Sequence, residues 1–120
     1  MTYYERPVKL NSITTRYKVA CGTLYVTVGL DKNNNPVEVF LNGGKSGGCK
    51  SNQEAIGRLT SALLRNYLIK DAYKQLKGIP CNACSRVIGE LPKESRKDFP
   101  HSCGDTVARN LESYLKEKEE

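Results

Sequence analysis

Apolar and polar residues alternate along the first third of this 120-residue chain and then change to a helical period. In Leu24-Tyr-Val-Thr-Val-Gly-Leu30 the apolar Leu24, Val26, Val28 and Leu30 recur at every second position, which places them on one face of a strand. A β-rich run precedes it from Thr14 to Cys21, with Thr14, Thr15, Tyr17 and Val19, and ends at Gly22. Asp31-Lys-Asn-Asn-Asn-Pro36 is turn chemistry that closes a hairpin, and Val37-Glu-Val-Phe-Leu41 is its return strand, with Val37, Val39 and Leu41 directed to the same core.

The period then lengthens. Ser51-Asn-Gln-Glu54 has capping-box spacing, so a helix is expected to start there, with Ile56, Leu59 and Leu63 as its buried stripe. Gly57 inside that stripe marks a close helix-to-sheet approach. A second helix, about Ile69 to Lys77, places Ile69, Ala72, Tyr73 and Leu76 on one side, and Gly78 with Pro80 ends it. Residues 85–100 are polar and charged, with Pro92 and Pro100 as breakers, and are expected as an exposed loop. A last helix is expected from about Ser102, with Val107, Leu111, Tyr114 and Leu115 inward. Three strands followed by helices predict an α+β fold, a small antiparallel three-stranded sheet packed with two to three helices. The expected domain spans 13–116, with 1–12 as a flexible arm and 117–120 as a frayed end.

Asn42-Gly-Gly-Lys-Ser-Gly-Gly-Cys49 invites comparison with a phosphate loop through Gly44-Lys45-Ser46. That motif requires a glycine at position 39, where Val39 lies inside a strand, so the stretch is better read as a permissive crossing that delivers Cys49. No apolar run approaches the roughly 18–20 residues that span a bilayer, and the N-terminus lacks the apolar stretch of a secretory signal, so a cytoplasmic location is expected. The net charge of +6 suits an acidic partner such as a nucleotide, a nucleic acid or an acidic protein face, although ordinary solvated lysines account for it equally simply. Arg58, Arg65, Lys70, Lys74 and Lys77 are candidates for a basic helical face, but no RNA-type aromatic motif accompanies them.

Five cysteines, an odd number in a chain without an export signal, are expected as thiols or metal ligands and not as a disulfide framework. Cys81-Asn-Ala-Cys84, followed after 18 intervening residues by Cys103, has the spacing of a structural zinc half-site, while Cys21 and Cys49 sit beside glycines. Thiolates suit zinc because the ion is borderline soft and takes four ligands tetrahedrally. Placement of Cys49 just ahead of one helix and Cys103 in the first residues of another favours the thiolate. The competing reading is that they are small apolar core residues. His101 is a candidate further ligand, and Asp105 fits a helix cap better than an acid or base.

Ala20-Cys-Gly-Thr-Leu-Tyr-Val-Thr-Val28, Val37-Glu-Val-Phe40, Gly47-Gly-Cys49, Glu54-Ala-Ile-Gly-Arg-Leu59, Gln75-Leu-Lys-Gly-Ile-Pro-Cys81 and Ser102-Cys-Gly-Asp105 together resemble the TSCPD domain. That domain occurs at the C-terminus of adenosylcobalamin-dependent ribonucleotide reductases and as small separate proteins. The likeness runs in order over about residues 14–115. It implies a metal site on Cys21, Cys49, Cys81 and Cys103, with Cys84 an additional or substitute thiol and zinc as the bound group; cysteine spacing by itself leaves an iron–sulfur cluster on the same residues open. The naming motif appears here as His101-Ser-Cys-Gly-Asp105, and 82–100 departs from the family pattern.

Three functions follow as expectations. The first is a non-catalytic zinc-binding accessory or regulatory module whose partner is the catalytic chain of a B12-dependent ribonucleotide reductase. The second is a dithiol relay to a reductase through Cys81, Cys84 or Cys103. The third is a nucleotide or nucleic-acid binding module using the basic helical face. No catalytic constellation is visible, which favours an accessory part over an enzyme.

Overall fold

The computed structural model describes residues 4–43 and 47–119. Three antiparallel strands, β1 (Asn11–Val19), β2 (Gly22–Leu30) and β3 (Pro36–Gly43), form a meander in the order β1-β2-β3. Four helices follow, α1 (Gly47–Arg65), α2 (Ile69–Leu76), α3 (Asn82–Glu90) and α4 (Cys103–Glu119), with a 3₁₀ segment at Lys93–Asp98. The fold is α+β with a three-stranded antiparallel sheet, as the change of period predicts.

The alternation in β2 becomes the core. Leu24, Val26, Val28 and Leu30 are buried, and cross-strand pairing sets Ile13, Val28 and Val39 in one inner row and Thr15, Val26 and Leu41 in the next. Val107, Ala108 and Leu111 of α4 and Leu64 of α1 are fully buried. Asp31 organises the hairpin turn by accepting the N–H groups of Asn33 and Asn35 at 2.8 and 2.9 Å.

Helix α1 lies along the free edge of β3. The Ser61 hydroxyl accepts the Val39 N–H at 2.9 Å and donates to the Val39 carbonyl at 3.0 Å, satisfying the backbone groups that an edge strand leaves open. Gly57 makes the approach possible, since a Cβ there would stand 3.3 Å from the Val39 carbonyl oxygen. This is the close contact expected of Gly57.

Two expectations need correction. α1 starts at Gly47 and not at Ser51, so Cys49 lies inside its first turn; Glu54 pairs with Arg58 one turn on instead of closing a capping box. Residues 44–46 of the glycine-rich crossing, with the phosphate-loop comparison at Gly44-Lys45-Ser46, lie outside the described residues, as do residues 1–3 and Glu120. The stretch 85–100 is not a plain loop: it contains most of α3 and the 3₁₀ segment. Cys84, Val87 and Ile88 do stand at i, i+3, i+4 spacing, but the capping residue is Cys81, whose sulfur accepts the Cys84 N–H at 3.4 Å where Ser or Asp would be expected.

The segment 4–10, expected as an arm, crosses the outer face of the sheet at one end. Tyr4 N–H donates to the Arg65 carbonyl at 2.8 Å, and Arg6 and Arg65 both reach the buried Glu38 carboxylate, at 2.7 and 3.3 Å. Gly29 makes room, because a Cβ there would fall 2.5 Å from Leu10 and 2.6 Å from the Glu38 side chain.

Gly43 closes the sheet at the opposite end: a Cβ would meet the Thr23 carbonyl oxygen and, at 3.0 Å, the Leu24 Cα, both backbone atoms that cannot swing aside. Gly43→Ala is expected to lower stability by about 1–3 kcal/mol in equilibrium urea unfolding. An unchanged midpoint would mean that β3 does not close on β2 at that position.

A candidate metal centre built from four cysteine-bearing turns

The five cysteines arrive from four local structures. Cys21 follows β1 in the turn to β2, Cys49 is the third residue of α1, Cys81 caps α3, Cys84 lies in the first turn of α3, and Cys103 is the first residue of α4. All five line one cavity of about 610 Å³. Its remaining wall is largely apolar, with Ile56, Leu59 and Leu63 from α1 facing Leu76 and Ile79 from α2 and the turn after it. Among the described residues its lining contains no charged side chain and no histidine.

Hydrogen bonds to Asp105 bring two of these turns into place. Its carboxylate accepts the N–H of Gly78 at 2.7 Å and of His101 at 2.9 Å, and Arg109 completes the set at 3.0 Å. Gly78 has φ +77°, which ends α2 and turns the chain toward Cys81. The His101 carbonyl then accepts the Cys81 N–H at 2.9 Å, which ties the Cys81 turn to the Cys103 turn. His101 therefore serves through its main chain, and its ring does not line the cavity. Ser102 is the N-cap of α4, accepting the Asp105 N–H on its hydroxyl at 3.0 Å. Asp105 does act in capping, but its reciprocal bond goes to His101 instead of Ser102.

The electrostatics of the thiols follow from this uncharged wall. Burial pushes the Cys103 thiol up, the Gln53 amide donating to its sulfur at 3.6 Å pulls it back, and Cys81, Cys21 and Cys49 raise it further. Cys21 is raised by burial, then by Cys49 and Cys81. Cys84 is pushed up to about 11, first by burial and then by Cys81. Cys21, Cys49, Cys81 and Cys103 thus lie within one another's electrostatic reach, and each thiolate opposes the next. A soft cation reverses that opposition, since it ionises the thiols it binds.

The donor set fits such an ion in chemistry. Among the described residues, however, no three His, Cys, Asp or Glu side chains stand close enough to form a coordination group, so the thiols converge without closing a shell. The sequence reading missed Gln53. Its signal was a polar residue one turn before Ile56 on the buried stripe of α1, where it is 4% exposed.

The sequence matches the TSCPD domain family over residues 1–115. The chain belongs to the TSCPD family. This family is associated with ribonucleotide reductases. No match was found among curated proteins or among solved structures. In this TSCPD domain Asp105 joins the turns that carry Cys81 and Cys103, which gives this acid a structural task. Among the described residues no helix of the TSCPD domain is long and apolar enough to cross a membrane.

Burial by itself would raise the Asp105 carboxyl; the N–H groups of His101 and Gly78 and the Arg109 guanidinium outweigh it and place the group below its ordinary value. A depressed folded-state value contributes stability that is present above the unfolded value of about 3.9 and is lost as pH falls through the folded one. Asp105→Asn is expected to cost about 2–3 kcal/mol at pH 7 and to flatten the loss of stability below about pH 4. Urea midpoints of both proteins between neutral and strongly acidic pH test this. Parallel curves would show that Asp105 carries none of the acid sensitivity.

Proposed function

We propose that this TSCPD domain is a non-catalytic, zinc-binding accessory or regulatory module of an adenosylcobalamin-dependent ribonucleotide reductase, working in the reducing cytoplasm. The observation that carries the reading is the convergence of Cys21, Cys49, Cys81 and Cys103, from four separate turns, on one cavity whose described lining has no charged side chain. Four cysteines whose ionised forms would repel one another, with no basic neighbour to offset it, stay as thiols until a thiophilic cation ionises them, and such a cation finds in them a full ligand set. Those four residues would bind the ion, and the ion would supply a cross-link between the sheet, α1, α3 and α4 and no reaction step. Gln53 orients the Cys103 sulfur, and Asp105 sets the spacing between the Cys81 and Cys103 turns. The family's association with ribonucleotide reductases supports a reductase chain as partner.

A dithiol relay is less well supported. Such a relay needs an accessible thiolate, whereas Cys84 is 2% exposed and its thiol is pushed up to about 11, so it stays protonated at neutral pH. The basic helical face is also divided in use: Arg65 is engaged by Glu38, Arg58 by Glu54, and Lys77 stands over the Tyr73 ring at 5.4 Å.

Anaerobic purification with elemental analysis, a visible spectrum and thiol titration is expected to give about one colourless zinc per chain with Cys84 as the remaining free thiol. Cys84→Ser is expected to retain the metal, while Cys21→Ser and Cys103→Ser each lose it and melt at lower temperature. Iron with a brown chromophore would replace zinc by a cluster on the same ligands, and metal-free protein with five titratable thiols would sink the metal site. Affinity capture from the native host that returns no reductase chain would sink the partner assignment.

A further inference from the structure

The outer face of the sheet has chemistry that the cysteine cavity does not use. Strand pairing fixes which side chains share it: Arg16, Tyr25 and Asn42 form one row, Thr14, Thr27 and Phe40 the next, and Lys18 with Thr23 extend the first row's end. Tyr25 is 42% exposed and Phe40 53%, unusual values for aromatic side chains on a sheet whose opposite face is packed. Among the described residues, the N-terminal segment lies against the far row, that of Ser12, Gly29 and Glu38, through Leu10 and Arg6. Tyr25 and Phe40 are therefore diagonal neighbours on adjacent strands, their backbone positions about 7–8 Å apart by strand geometry.

The charge on this face has one sign. Its exposed ionisable side chains on the strands are Arg16 and Lys18, and its single carboxylate, Glu38, is buried and held by Arg6 and Arg65. Beyond Phe40 a groove between β3 and α1 adds Lys50 and Arg58, together with Glu54, which is occupied by its ion pair to Arg58. None of these strand residues lines the cysteine cavity.

We infer that this face binds single-stranded nucleic acid, with Tyr25 and Phe40 stacking two successive bases and Arg16 and Lys18 on one side and Lys50 on the other tracking the phosphates. Complementarity of charge selects a polyanion, and exposed rings a separation apart that suits unstacked bases select a single strand over a duplex. The Thr14 and Thr27 hydroxyls beside the rings are engaged with each other at 2.8 Å, so recognition rests on stacking and charge. Binding is therefore tolerant of sequence. It is independent of any metal at the cysteines.

The test is fluorescence anisotropy of the full chain with a labelled mixed-sequence single strand of about ten nucleotides, as RNA and as DNA, from low to physiological salt. Wild-type protein is expected to bind either strand. Tyr25→Leu and Phe40→Leu, which retain strand-compatible apolar side chains, are each expected to weaken binding by about 5- to 100-fold with an unchanged melting temperature, while Tyr25→Phe binds as wild type. Arg16→Ala with Lys18→Ala is expected to lower the slope of log affinity against log salt by about 1.4. No binding to either strand at low salt overturns the inference. So does binding that the Leu variants leave intact, including binding lost instead on Lys70→Ala with Lys74→Ala. A salt-insensitive association of two copies through Phe40, seen by sedimentation, would also overturn it.

Discussion

The Asp105 carboxylate is the interaction on which the geometry of this domain depends. It sits at the start of α4, almost wholly buried, and accepts hydrogen bonds from two backbone positions 23 residues apart, Gly78 and His101, besides Arg109. A buried carboxylate is costly unless its lone pairs are filled, and here the filling groups are the turns that carry Cys81 and Cys103. Replacing the carboxylate by an amide would leave one of these two N–H groups, at Gly78 or at His101, facing a donor instead of an acceptor. The fold thus uses one desolvated anion to fix the distance between segments that local propensity alone would leave loose.

Around that anchor, four cysteines occupy helix N-termini: Cys49 in the first turn of α1, Cys81 capping α3, Cys84 in the first turn of α3 and Cys103 opening α4. The partial positive charge there favours thiolates, whereas the apolar wall of Ile56, Leu63 and Leu76 favours thiols. Burial dominates at Cys21, Cys84 and Cys103. The balance places the cluster close to the point where a cation decides the protonation state, which is how metal binding becomes coupled to folding.

Much of this was legible from residue order, and the exceptions have physical causes. The sheet followed from the strict alternation in Leu24–Leu30 and the Asp31–Pro36 turn, since a period of two admits one register against a buried face. α2 and α4 followed from apolar spacing bounded by Gly78 and Ser102. α3 was hidden because its cap is a thiol and the polar stretch with Pro92 and Pro100 in which it lies reads as loop. The early start of α1 was hidden because Gly47 and Gly48 oppose helix by propensity, and tertiary context overrode it. Within the site the cysteines were visible through spacing and family likeness. Gln53 and the apolar wall were not, because their part depends on how α1 and α2 face each other. The buried Glu38, with its two arginines from positions 6 and 65, likewise cannot be seen in a strand pattern that assigns it outward.

The Ser61 contact with Val39 has a consequence for how such a sheet can grow. With α1 laid along β3, Ser61 takes the Val39 N–H and C=O on that border, and among the described residues β1 is the border with neither strand nor helix hydrogen-bonded along it. A foreign strand adds most readily there. If that strand is the β1 of a second copy, the result is a six-stranded pair whose two outer borders are both shielded by a helix. Propagation then stops at two, because a template with a single open side makes pairs and not fibres.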